Sequence, residues 1–169
     1  MVVVRVKRVW DGSSWEDVEF LCSAEALDAP VGAVCSEACA VHGAHAAVER
    51  IAALLAGREM PPQAQEMVAR ALAHAAQLVS AQQVAQGVCV HAEDMRDALA
   101  AVASAARAVG VPEPDVAAAE AVPDAPDARF VWCRRLVDPT RTVAQLAGGN
   151  PKTVLNMFLS LDGSLPLSM

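Results

Sequence analysis

Cys35, Cys39, His42 and His45 come nearest to a chemistry, because thiolate and imidazole both bind zinc and three of the four lie on one helical stripe. A tetrahedral ion needs donors on several sides, and four donors on one continuous helix cannot surround it. Such a site would require the chain to break at Gly43 and fold His45 back, or a further ligand from elsewhere. The structural alternative places two small thiols on a buried alanine-rich face and two imidazoles near a helix end. That alternative is carried forward, so no metal and no other cofactor is expected.

Cys89 stands two residues before His91, a pairing that a thiol nucleophile would use, but nothing in the sequence orients the imidazole. No Gly-x-Ser-x-Gly elbow and no His-Glu-x-x-His motif occurs. Glu93 with Asp94 or Asp97 offers carboxylates for acid–base work, yet acids in a first helical turn are explained by the helix dipole alone. The segment Gly148-Gly149-Asn150-Pro151-Lys152-Thr153 has the flavour of a phosphate loop. It lacks the glycine five positions earlier and a preceding parallel strand, and Pro151 removes an amide that the loop would need. A helix stop, a turn and a new helix start account for it. No catalytic residue is assigned, and the chain reads as a protein that holds other proteins.

These residues must be positioned by a mixed set of elements. Val2, Val4 and Val6 alternate with Arg5 and Lys7, the period of a strand with one buried face. Asp11-Gly12-Ser13-Ser14 is a reversal signal, and Val18, Phe20 and Cys22 alternate in turn, which predicts a β-hairpin. A hairpin alone is marginal in water, so helices must cover it. Residues 31–56 carry apolar residues at helical spacing, broken or bent around Gly43 and ended by Gly57. Pro61 and Pro62 open a second helix striped by Val68, Leu72, Ala75 and Val79. Val88-Cys89-Val90 is a short connector or bridge strand. A third helix follows from His91, with Met95, Leu99, Val102, Ala106 and Val109 inward and a stop at Gly110. The four prolines and several acids of 112–127 predict a linker or mobile loop. Residues 129–136 form a helix or strand that docks, and 151–160 a final helix with Val154, Leu155 and Phe158 inward, after which the chain frays.

Composition narrows the function classes. Thirteen Lys and Arg against twenty Asp and Glu give a net charge of −7, and there are only two lysines, so no nucleic-acid partner is expected. The basic pairs Lys7/Arg8 and Arg134/Arg135 suit a solvated face or an acidic partner. Five cysteines in no disulfide pattern fit a reducing compartment. Charges interrupt the opening valines and no apolar run reaches membrane-span length, so a cytoplasmic protein without a membrane partner is expected. Much of the 54% hydrophobic content is alanine, and aromatic residues make up only 4%, so the core must be aliphatic with closely packed helices.

Val79-Ser80-Ala81-Gln82-Gln83-Val84-Ala85-Gln86-Gly87-Val88-Cys89-Val90, followed by Asp94-Met95-Arg96-Asp97-Ala98-Leu99, resembles the Kurly family of cilia- and flagella-associated proteins. Met1-Val2 with Val6-Lys7-Arg8 matches the family's opening. Phe130-Val131-Trp132 before Arg134-Arg135-Leu136 is similar to its tryptophan helix. Leu146 with Gly149-Asn150 and Lys152-Thr153 is similar to its Gly-Lys-Asn-Glu-Lys-Thr segment, although Pro151 stands in a stretch that is proline-free and more basic in the family. Relatives continue beyond the position of Met169 into a charged tail, and the Cys35/Cys39/His42/His45 set is not a family feature.

The resemblance implies a non-enzymatic factor for motile cilia, acting in the cytoplasm and near basal bodies in preassembly or docking of outer dynein arms. Its partners would be dynein arm assembly factors or axonemal dynein subunits. Alternatives are a structural protein resident in the axoneme and a zinc-stabilised interaction domain. Trp132, Arg134, Arg135, Asn150 and Lys152 are the candidate partner-binding residues, an aromatic and basic anchor for an acidic surface. The expected architecture is α+β and mainly α, with an N-terminal hairpin on a helical body and a start reminiscent of ubiquitin. It divides into a hairpin-plus-helical core over 1–111, an acidic Pro-rich linker over 112–128 and a C-terminal helical segment over 129–169. Metal analysis of the purified protein tests the zinc alternative, which demands a stoichiometric ion; the expected content is none.

Overall fold

The computed structural model describes residues 1–24 and 26–165. Strand β1 (Val2–Trp10) opens the chain, and the return passes through β2 (Trp15–Glu16) and β3 (Phe20–Ala24), both antiparallel to β1 on one edge. Between Val6 and Val9, Lys7 and Arg8 of β1 lie opposite a single residue, Phe158, of the last strand, which is a β-bulge. The phase of β1 shifts there, so Val9 rather than Arg8 joins Val2, Val4 and Val6 in the core. The reversal is pinned by Asp11, whose Oδ1 accepts from the backbone N–H groups of Ser13 and Ser14, both at 2.7 Å. These bonds favour the carboxylate and hold its pKa down at about 2.

Helix α1 (Val31–Leu55) lies across the apolar face of the sheet and buries Val34, Ala38, Val41, Ala44, Ala47, Val48 and Ile51 among others. It runs without interruption through Gly43, where a break or bend is expected from sequence. The Val122 side chain occupies the space that a Cβ on Gly43 would fill. The glycine therefore marks a close approach of another segment, and packing on both sides outweighs its cost of roughly 1 kcal/mol in a helix interior.

Four helices separate α1 from the rest of the sheet: α2 (Pro62–Leu78), α3 (Ala81–Ala85), α4 (Ala92–Ala108) and α5 (Glu113–Glu120). The run Val88 to Val90 is a connector, tied to β3 by the Val90 N–H donating to the Leu21 carbonyl at 2.8 Å. Helix α5 corrects the expectation of a linker over 112–128. Pro112 caps it and Pro114 sits in its first turn, where a missing amide costs nothing. Val116 and Ala119 are buried against α1 and α4. Arg107 clamps it through Glu113 at 2.7 Å and Glu120 at 2.8 Å, and Arg50 donates to the carbonyls of Ala119 and Ala121. Only residues 121–128 remain outside helix and strand, so the core unit extends past its expected limit at 111.

The C-terminal part is a second correction, because 129–165 holds three strands and one short helix rather than a helical segment. Strands β4 (Arg129–Trp132) and β5 (Arg135–Leu136) form a hairpin, α6 (Val143–Ala147) is a short helix with a Thr142/Gln145 capping box, and β6 (Val154–Ser160) replaces the expected final helix. The spacing Val154, Leu155, Phe158 fits a helix, but the side chains that are buried are Leu155, Met157 and Leu159, which is period two. Strand β6 enters the middle of the sheet, parallel to β1 and antiparallel to β4, giving the order β3–β1–β6–β4–β5 with β2 extending β3. A hairpin, a long helix and a central parallel pair made by the first and last strands is a ubiquitin-like order, with α2 to α5 inserted. The fraying expected at the chain end falls partly on 166–169, outside the described residues.

If 113–120 is a docked helix, Val116→Asp buries an unpaired charge and should cost roughly 3 kcal/mol in urea unfolding. A change in a solvated linker would stay within about 0.5 kcal/mol.

Candidate protein-binding surface

Charge is distributed unevenly over this fold. Residues 1–24 and 129–165, which build the sheet, carry eight Lys and Arg against six Asp and Glu, whereas 25–128 carry five against 14. Several sheet acids are already engaged: Glu19 pairs with Arg5 at 2.5 Å, Asp17 with Arg8 at 2.7 Å, and Asp11 and Asp162 close turns. Among the described residues no carboxylate lies within ion-pair distance of Lys7, Arg134, Arg135 or Lys152. The sheet unit thus presents cations whose charge is not internally neutralised, on a chain that is acidic as a whole.

Two of those cations belong to the β4–β5 hairpin. Its two-residue turn, Cys133-Arg134, has φ of 51° and 62°, and Trp132 pairs with Arg135 across it. Positive φ at two successive non-glycine residues costs on the order of 1 kcal/mol each, and it matches the strand twist of a tight hairpin. Beside the hairpin lies a cleft of about 490 Å³ lined by Trp132, Arg135, Leu136, Arg141 and Leu146, among others. Trp132 is half-buried, packed against the core, so it forms a fixed apolar wall. The cleft combines that wall with an aliphatic floor, Arg135 and Arg141, while its one carboxylate, Asp138, accepts from the Thr140 N–H and hydroxyl; this is the chemistry of an anchor for an acidic segment bearing an apolar side chain.

The fold separates the remaining candidates from this cleft. Asn150 and Lys152 sit in the turn between α6 and β6, where the Lys152 N–H donates to Asn150 Oδ1 at 3.0 Å. Gly148 and Gly149 there take φ of 63° and 76°. The turn ends a helix and starts a strand, not the second helix expected, and neither residue lines the cleft. Sequence reasoning missed Arg141 and Leu146, which arrive from beyond the hairpin and carry no local signal. It also missed the aromatic cluster of the hairpin end, Trp10 to Trp15 and Trp15 to Phe158 at 5.4 Å each, with Arg8 over the Trp15 ring at 5.3 Å. Trp10 and Trp15 flank the Asp-Gly turn in sequence, which was the available hint.

The cysteine and histidine set on α1 is explained by packing. His42 is buried and its Nε2 lies 2.6 Å from Glu16 Oε2, tying α1 to β2. Cys35 is buried and both it and Cys39 are free thiols; the hydrogen bond between them pushes the Cys35 thiol up and brings the Cys39 thiol down. Burial pushes the thiols of Cys22 and Cys89 up, opposite to the activation a nucleophile needs. Among the described residues no group of three or more His, Cys, Asp or Glu is arranged to hold a metal ion. No described helix is long and apolar enough to cross a membrane.

No protein-family model, no curated protein and no solved structure matches this chain.

Burial holds the His45 pKa below its ordinary 6.5, so between those values the unfolded chain binds the proton that the folded chain refuses. That stability contribution is complete above the unfolded pKa and declines as pH falls below it. The urea midpoint should therefore drop between about pH 7.5 and 5.5, and His45→Gln should flatten that part of the curve.

Proposed function

We propose that this chain is a non-enzymatic adaptor that holds partner proteins, and that it serves motile cilia in preassembly or docking of outer dynein arms. The observation that carries the binding role is the cleft beside Trp132, lined by Arg135 and Arg141, with Arg134 next to it in the hairpin turn; among the described residues neither Arg134 nor Arg135 has a carboxylate within ion-pair distance. The ciliary assignment is supported by the resemblance to the Kurly family in residues 79–99, at the first strand and around Trp132. It implies action in the cytoplasm and near basal bodies, with dynein assembly factors or axonemal dynein subunits as partners.

The placement of the resembling segments suits such a role. Residues 81–90 form α3 and the connector that ties the helical insertion to β3, and 130–136 form the hairpin at the cleft. One segment therefore sets the frame and the other offers the contact. An acidic partner segment would gain charge-assisted bonds from Arg134 and Arg135 and bury an apolar residue against Trp132.

The test is a tagged chain in a ciliated cell, with cytoplasm separated from salt-washed axonemes and the co-purifying proteins identified in each. Dynein chains and assembly factors recovered from cytoplasm are the expected result, with recovery reduced roughly tenfold by Arg134→Glu with Arg135→Glu. Recovery confined to washed doublets would replace the adaptor with an axonemal structural protein, and absence from both fractions would remove the ciliary assignment.

A further inference from the structure

Helix α2 is thinly covered: Val68 and Ala75 are its buried residues, while α4 buries eight. It packs chiefly on α4. On the outer side of this pair runs an open groove of about 640 Å³, larger than the cleft beside Trp132. Ala71, Ala101 and Ala105 line it, and Met67, 42% exposed, stands at its side. The small side chains leave room for the close approach of a further helix, at the spacing of roughly 8–10 Å that packed helices adopt. An exposed methionine beside an apolar groove adapts to different partner side chains.

We propose that this groove receives an amphipathic helix of a partner protein, with apolar residues toward the alanines and Lys or Arg on its flanks. The charge of the region selects that occupant. Residues 25–128 carry 14 Asp and Glu against five Lys and Arg. Arg70, the arginine that lines the groove, is engaged by Glu66 at 2.8 Å. Asp94 and Asp97, exposed and in no ion pair among the described residues, continue the Ala101 stripe of α4 toward its N-terminus. A second copy of this chain would bring the same acidic surface against itself, which like-charge repulsion opposes. An open groove along two helices suits a helical rod better than a small molecule, which needs a pocket that encloses most of its surface. The chain then has an apolar groove with Asp94 and Asp97 beyond its end on the helical insertion and an arginine-lined cleft on its sheet, and can bridge two partners of opposite charge.

The experiment presents the full chain to a displayed library of helical peptides of about 20 residues, with Leu, Met and Ala on one face and the other face randomised between Lys and Glu. Recovered peptides should be Lys-rich, lose affinity several-fold as salt is raised, and bind Ala101→Trp at least roughly tenfold more weakly. Ala101 is exposed, so the tryptophan fills the groove without entering the core, and unchanged circular dichroism verifies the fold. Asp94→Lys with Asp97→Lys should weaken the same peptides without filling the groove. Recovery of Glu-rich peptides, binding indifferent to Ala101→Trp, or no recovered peptide would overturn the proposal. None of these outcomes bears on the Trp132 cleft, which the Arg134 and Arg135 variants test separately.

Discussion

Everything in this molecule depends on how closely α1 can lie on the sheet. The core has few aromatic side chains to span a gap, and Phe20 and Phe130 are the large ones that are fully buried. Ala38, Ala44 and Ala47 on α1 are nearly inaccessible, and valines, leucines and Met157 are buried on the strands. Small residues on the helix and branched ones on the strands fill the layer at the density of a protein interior. The same rule governs the back of α1, where Gly43 admits Val122 and alanines admit α4 and α5. Alanine richness is thus the condition for a helix sandwiched between a sheet and a helical insertion.

The parts legible in sequence were those where a single period dominates. Alternating valines announced β1, and long apolar stripes with proline starts and glycine stops announced α1, α2 and α4. Where two periods agree, sequence misled: Leu155, Met157 and Leu159 alternate, while Val154 and Phe158 are also helical neighbours. A strand buried in the middle of a sheet gives no polar alternation to break that tie. Proline density over 112–127 signalled a breaker, yet Pro112 and Pro114 occupy the few helical positions where proline fits, and burial of Val116 decided the matter. The ubiquitin-like order was hidden because its last strands lie more than a hundred residues after the hairpin they complete. Of the candidate binding residues, Trp132, Arg134 and Arg135 were found because they are adjacent in sequence. Arg141 and Leu146 come to the cleft through the path of the chain after β5, which no local pattern encodes.

The division of charge between sheet and insertion follows the division of structural labour. The sheet's acids are consumed in pairing with Arg5 and Arg8 and in closing turns, which leaves the hairpin arginines available. The helical part uses its few arginines as clamps, Arg107 on α5 and Arg50 of α1 on the carbonyls of Ala119 and Ala121, which leaves its acids in excess. Opposite potentials at the two parts orient approaching partners before contact and oppose the pairing of either surface with the same surface of a second copy.

Strand β6, at 154–160, supplies the middle of the sheet although α1 to α6 and the β4–β5 hairpin lie between it and the β1–β3 hairpin in sequence. During synthesis that hairpin is made before β6 and has a free edge at β1 until β6 has emerged. During that interval α1 and the insertion can form by local contacts, but the sheet beneath them is split. The valine-rich edge of β1 therefore stays open while the intervening elements are made, and shielding of that edge until β6 arrives becomes a demand on the folding of this chain.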